Sequence, residues 1–129
     1  MKDHLTTIFQ TILQMHTEGG FKNFATFISN DEKNYYVQIT GEKEGDSIYA
    51  EAVSNQSLKS PNQLNTNQIN LLLRMGWLEP KGGEGNFYRT WSIAWDEDRK
   101  VVAEFLLQTL REVYGLFEGD ELIVEIALE

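Results

Sequence analysis

The chain has 129 residues, enough for one domain with a hydrophobic core, and carries a net charge of −9 from 11 basic and 20 acidic residues. This balance disfavours a nucleic-acid binder and a binder of anionic membranes, because both functions need clustered cations. The chain has no cysteine, which excludes disulfides, thiol catalysis and cysteine-ligated metal sites. With neither a targeting signal nor a membrane-length apolar run visible, we expect one cytoplasmic domain over residues 1–129.

The first half of the chain predicts one helix followed by three strands. The helix has apolar residues at spacings of three and four, with Asp3 as a possible N-cap and Gly19 at its end. Alternating apolar and polar residues then predict strands at 24–29, 35–40 and 48–53. Because short polar turns connect these strands, they are expected to form an antiparallel meander.

A second helix is predicted over residues 66–75. Asn65 and Gln68 have the spacing of a capping box, in which each side chain accepts a hydrogen bond from the backbone N–H of the other residue. Gly76 suits the left-handed residue that closes a helix, and Trp77 follows where such a motif has an apolar contact.

The remaining elements are a strand, a helix and a strand. Alternation predicts a strand over residues 87–95, three acids at residues 96–98 begin the longest helix, and alternation resumes over residues 122–129. The order α-β-β-β-α-β-α-β predicts an α+β fold in which three helices pack on a twisted antiparallel sheet of about five strands.

Few residues suggest chemistry. The two histidines, His4 and His16, lie twelve positions apart on one helix, roughly 18 Å along its axis, so they cannot share a metal ion and are expected on the helix surface. The acids at residues 96–98 are better explained by helix capping than by cation binding. We therefore expect a protein that is not an enzyme, with no catalytic residue, no metal and no cofactor.

The glycine-rich segment at residues 82–85 resembles a phosphate-binding loop only superficially. A phosphate loop follows a strand and begins a helix, whereas these glycines follow a helix, precede a strand and enclose Glu84. A flexible connector is the better interpretation.

Aromatic residues are concentrated around the fourth predicted strand, and they allow two interpretations. They could form the core beneath the long helix, with Trp91 and Trp95 buried, but Arg89 on the same alternation does not suit a dry core. Alternatively, part of this strand is an interface, because arginine beside tryptophan and tyrosine is typical of binding hot spots. The candidate binding residues are Trp77, Phe87, Tyr88, Arg89 and Trp91.

Segments of the chain resemble a known family, most clearly over residues 50–91. The matching segments, in chain order, are EAVSNQSL, LNTNQINLLLRMGW, NFYRTW and LLQTLREVYGL. They are similar to the peptide-binding domains grouped with type III secretion chaperones and YbjN-like proteins, which are called TY-Chap domains. The matching residues include Glu51, Asn55, Gly76, Trp77 and Asn86.

The resemblance implies a non-enzymatic chaperone-like or adaptor domain that binds a protein or peptide client, and a homodimer, since the secretion chaperones of this fold work as homodimers. It also implies two strands between the second and third helices, where this sequence shows one clear strand. The alternative function is a regulatory module that uses the aromatic strand as a small-ligand pocket. A groove or an open sheet edge would favour the peptide, and a closed apolar cavity would favour the ligand.

Overall fold

A computed structural model describes residues 3–83 and 85–129. The described residues form three α-helices and five strands in the predicted order, together with short 3₁₀ turns. The elements are α1 (His4–Thr17), β1 (Asn23–Asn30), β2 (Tyr35–Gly41), β3 (Ser47–Ala52), α2 (Thr66–Met75), β4 (Phe87–Ser92), α3 (Asp96–Glu112) and β5 (Ile123–Ala127).

The five strands form one antiparallel sheet in the order β4-β3-β2-β1-β5. The meander predicted for β1, β2 and β3 is confirmed. The chain then places β4 beside β3 and returns through α3 to place β5 beside β1. As a result, β4 and β5 are the two edges of the sheet.

The two faces of the sheet have different surroundings. The inner face carries side chains such as Phe27, Val37 and Ile39, which are fully buried and form one core with residues of all three helices. The outer face carries the alternate side chains, and Phe24 and Tyr49 are about two-fifths exposed there, at 40% and 41%. The fold is therefore the predicted α+β arrangement, with the helices on one side of the sheet.

Helix α2 begins and ends as predicted. The Asn65 side chain accepts from the Gln68 backbone N–H while the Gln68 side chain accepts from the Asn65 N–H, each at 2.8 Å. Gly76 closes the helix with a φ of 107°, a conformation that favours glycine. The backbone N–H of Trp77 then donates to the carbonyl of Leu72, which turns the Trp77 side chain towards the core.

The start of α3 confirms the capping role of the acids. The Asp98 carboxylate accepts hydrogen bonds from the backbone N–H groups of Ala94 and Trp95, and these bonds lower the pKa of Asp98. The predicted burial of Trp95 is wrong, because this side chain is 71% exposed. Strand β4 ends at Ser92, so Trp95 lies in the turn before α3, where the alternation of a strand no longer applies.

Two other expectations need correction. His4 does not lie on the helix surface: its side chain is 3% exposed and its Nε2 is hydrogen-bonded to the Asp120 carbonyl at 2.7 Å, because the start of α1 packs beside that turn. Strand β5 is also shorter than the predicted 122–129. In the glycine-rich connector, Lys81–Gly83 forms a 3₁₀ turn, and Glu84 lies outside the described residues.

Candidate functional site

The predicted site residues on β4 point to two sides of the sheet. Phe87, Arg89 and Trp91 lie on the inner face, opposite Ala52, Ala50 and Ile48 of β3 respectively. Tyr88 lies between them in sequence and therefore points to the outer face. The structure thus groups four of the five predicted residues on the helix side and separates Tyr88 from them.

Two of the predicted residues are part of the core. Trp77 is 1% exposed, and its indole N–H donates to the hydroxyl of Thr109 on α3 at 3.1 Å. Phe87 is 5% exposed at the start of β4. These side chains support the site from beneath, and their proposed contact with a client stays a prediction.

Trp91 joins the core to the surface through an aromatic cluster with Phe105 of α3. The ring centroids of Trp91 and Phe105 lie 5.1 Å apart, and those of Trp77 and Phe105 lie 5.4 Å apart. Trp77 and Trp91 meet edge to face at 6.3 Å. Trp91 and Phe105 are both half-buried, so the cluster begins in the core and reaches solvent between β4 and α3. Sequence analysis of β4 missed Phe105, because helical periodicity marks it only as a position on a packed face.

Arg89 lies across this cluster. The carbon at the centre of its guanidinium is 4.9 Å from the Trp91 ring centroid and 4.6 Å from that of Phe105, which are cation–π distances. Its Nη1 donates to the carbonyl oxygen of Met75 at 3.1 Å, at the C-terminus of α2 where the helix dipole favours a cation. Within residues 3–83 and 85–129, no carboxylate forms an ion pair with Arg89. The half-buried guanidinium therefore keeps hydrogen-bond donors for another acceptor.

Strand β4 has an open edge beside this cluster. Tyr88 exchanges two backbone hydrogen bonds with Leu78, at 2.9 and 3.1 Å. Among the described residues, this bridge is the only pairing along the edge of β4 that faces away from β3. A one-residue bridge thus stands where the resemblance implied a second strand. Since backbone groups alternate in direction along a strand, those of Thr90 and Ser92 face the same open side as those of Tyr88.

The cavities near the site are open clefts. One cleft of about 330 Å³ lies beside the first residue of β4 and is lined by residues including Asn55, Pro80 and Phe87. Asn55 shapes it by exchanging hydrogen bonds with the Leu64 backbone. A smaller, partly open cavity between α1, β2, β3 and α3 has a volume of only about 20 Å³, close to the space that one water needs.

Neither a cluster of metal-ligating side chains nor a membrane-length apolar helix occurs in the described part of the chain. Residues 3–83 and 85–129 contain no group of three or more histidine, aspartate or glutamate side chains placed to hold a metal ion. None of the helices in those ranges has the length and apolar character needed to cross a bilayer.

Comparison with known proteins identifies the family. A family model described as T3SS (YopN, CesT) and YbjN peptide-binding chaperone 3, or TY-Chap3, matches residues 5–126. The chain belongs to the TY-Chap3 family. This match confirms the resemblance inferred from residues 50–91 and extends it over nearly the whole domain. No curated protein and no solved structure matches the chain.

Membership supports a binding function for this TY-Chap3 domain. The family is described by peptide binding and chaperone activity, and its members are not known as enzymes. An open strand edge, a cluster of half-buried rings and a guanidinium with unused donors together suit the recognition of an extended peptide.

Proposed function

We propose that this TY-Chap3 domain is a non-enzymatic chaperone-like or adaptor protein that binds an extended segment of a client protein along β4. The observation that carries the proposal is Arg89, a half-buried guanidinium without a carboxylate partner among the described residues, stacked on two rings beside an open strand edge. No other described cation lies over two aromatic rings.

The client's backbone is proposed to pair with β4. An added strand would continue the antiparallel sheet through the backbone groups of Thr90 and Ser92, beyond the Leu78–Tyr88 bridge. Its alternate side chains would then lie above the inner and outer faces of the sheet. Those on the inner side would meet Trp91 and Phe105, which supply apolar contact area without first having to be ordered.

Arg89 is proposed to fix the position of the client. A guanidinium that is already stacked and hydrogen-bonded has lost part of its conformational freedom, so a further bond to a carboxylate or carbonyl costs less entropy. Arginine beside tryptophan is also a frequent composition of binding hot spots.

A small-ligand pocket is the less favoured function. The small cavity between α1, β2, β3 and α3, of about 20 Å³, is far below the several hundred cubic ångströms of a usual ligand pocket. The larger spaces are clefts at the surface, such as the one of about 330 Å³ beside Phe87. Open clefts and an open edge suit a peptide better than a buried small molecule.

We further propose that the protein acts in the cytoplasm as a homodimer. Four exposed apolar side chains lie around the β5 edge of the sheet, on both of its faces and just before β1, and an apolar edge patch of this kind favours association. These side chains are Phe21, Phe24, Ile123 and Ile126. They lie at the opposite end of the sheet from β4, so a dimer formed through them would leave the client edge free.

Arg89→Ala tests the client edge. Loss of one hydrogen bond and two cation–π contacts should lower the free energy of unfolding by about 1–2 kcal/mol, which leaves the domain folded. Capture of clients from native lysate should fall on the order of tenfold or more, as at a hot spot. Arg89→Lys should also bind weakly, since it lacks the planar fork.

The matched control is Thr109→Val, which removes the hydrogen bond to the buried Trp77 indole and leaves the β4 edge unchanged. It should destabilise the protein by a similar amount, about 1–3 kcal/mol, yet capture clients normally. Equal loss of capture in both variants, or normal capture by Arg89→Ala, would show that Arg89 has only a structural role.

A further inference from the structure

A second cleft lies on the outer face of the sheet, on the other side of β4 from Arg89. It has a volume of about 310 Å³ and is lined by side chains of β3, β4 and the connector before β4. The lining residues are Tyr49, Glu51, Lys81, Gly85, Asn86, Tyr88 and Thr90. None of these lining residues belongs to the aromatic cluster or to the proposed homodimer patch.

Two parallel tyrosine rings form one wall of the cleft. Tyr49 and Tyr88 are diagonal neighbours on β3 and β4, and their rings stack with centroids 6.4 Å apart and planes 21° apart. Tyr49 is 41% exposed, so a ring face remains open to solvent. Exposed π-faces attract cations through their quadrupoles.

A carboxylate lies beside the rings and is held in position by hydrogen bonds rather than by an ion pair. Glu51 accepts hydrogen bonds from the Gln38 amide at 3.2 Å and, at 3.5 Å, from the Asn86 amide. In the described part of the chain no lysine or arginine pairs with Glu51. Burial, followed by the Glu51 charge, raises the pKa of Tyr49, so this phenol stays neutral at pH 7. The cleft therefore presents a carboxylate beside two tyrosine rings.

Lys81 shows that the cleft accommodates a cation. Its ammonium nitrogen lies 5.4 Å from the centroid of the Tyr88 ring, within the range of a cation–π contact. Lys81 itself is exposed and belongs to the connector rather than to the sheet. A side chain of this kind can move aside at a small cost when a better-placed cation enters.

We propose that this outer cleft binds a basic side chain, arginine or lysine, of the client segment, and that Lys81 occupies the cleft until the client arrives. The inference rests on the proposed pairing of the client with β4. A client residue opposite Thr90 would point to the outer face, and Tyr88 would then be its diagonal neighbour, about 7–8 Å away and within reach of a long side chain. The net charge of −9 also favours basic segments.

The test compares two acetylated, amidated pentapeptides, Thr-Val-Arg-Val-Thr and the same peptide with citrulline in place of arginine. Citrulline keeps the shape of arginine but has no charge. NMR titration of the full chain should give a dissociation constant about tenfold lower for the arginine peptide, with shifts of the Tyr49 and Tyr88 ring signals. Glu51→Gln should remove this preference, and Lys81→Ala should strengthen binding of the arginine peptide several-fold.

Glu125→Gln is the matched control. Glu125 lies on the outer face in the same cross-strand row as Glu51, but on β5, three strands away and thus roughly 14 Å distant. The Glu125→Gln substitution removes the same charge and should leave the preference for the arginine peptide intact. Equal binding of the two peptides, or equal losses in Glu51→Gln and Glu125→Gln, would overturn the cation site.

The proposed client edge and the cation site fail in different ways. Equal binding of both peptides leaves pairing with β4 intact and removes only the cation site. If neither peptide binds, pairing with β4 fails, and N-acetyl-arginine amide, which cannot form a strand, then tests the cleft alone. Saturable shifts of the two tyrosine rings that Glu51→Gln abolishes would support the cleft, and their absence would contradict it.

Discussion

The two edges of the sheet differ in what stands behind them. At β4, the inner side chains continue through Trp91 and Phe105 to the buried Trp77. At β5, Val124 packs against the core, but Ile123 and Ile126 are exposed and Glu125 lies between them in sequence. One edge is therefore backed by a cluster of aromatic rings, whereas the other is a short strand with a charged residue at its centre.

This difference indicates how one sheet can offer two kinds of contact. A rigid, aromatic edge favours a defined binding geometry, because its side chains are already ordered. An edge strand with an exposed carboxylate resists indiscriminate strand pairing, while its apolar side chains still permit association with a matching surface. The separation supports clients at β4 and a second copy of the chain at β5.

The largest expected effect is the loss of the anchor at β4. Trp77→Ala should lower the free energy of unfolding by about 3–5 kcal/mol, because it leaves a large cavity in the core. Ile126→Ala at the opposite edge should cost less than about 1 kcal/mol, since this side chain is already 38% exposed. Urea denaturation measures both. Similar losses for the two variants would contradict the contrast between the edges.

An intermediate effect is expected on association. Sedimentation at high micromolar concentration should show a dimer for the wild type, and Ile123→Lys should weaken it at least tenfold, because an ammonium would be buried in the apolar patch. Val101→Lys is the control, since Val101 is 58% exposed on α3 and lies outside the patch. A monomeric wild type would remove the dimer proposal, and equal weakening in both variants would place the interface elsewhere.

The smallest expected effect is on the pH dependence of stability, through Asp98 at the start of α3. The Asp98 pKa lies below its ordinary value because two backbone N–H groups donate to the carboxylate, so the charged form stabilises the fold. This stabilisation is complete above the unfolded pKa of about 4 and is lost as pH falls through the lower folded value. Asp98→Asn should therefore lower the melting temperature at pH 7 and reduce its decline below pH 4. An unchanged decline would contradict this role.

Local signals predicted the elements well. The capping box at Asn65 and the glycine at position 76 define α2 correctly, because each acts on backbone groups within a few residues. The alternation along β4 correctly places Phe87, Arg89 and Trp91 on one face. Alternation failed at Trp95, since the strand had already ended and the chain had turned towards α3.

The candidate site could be predicted only in part. Arg89 and Trp91 were identifiable from their unusual combination on one strand face. Phe105, Met75 and Glu51 were not, because each comes to its site from a distant element. No local sequence pattern predicts that the carbonyl of Met75, at the end of α2, will accept a hydrogen bond from Arg89, because the two residues are more than ten positions apart.

The sequence by itself determined the fold class, the order of the elements and the family, because periodicity, capping and turn residues act over short distances along the chain. Only the tertiary structure decided which strands became edges and which aromatic side chains were buried. It placed β4 outside β3 and stacked Arg89 on Phe105 of α3, a ring sixteen residues further along the chain. It also decided that Tyr88, and not the face with Arg89 and Trp91, points away from the helices, since alternation separates the two faces of a strand but only helix packing decides which of them is the core.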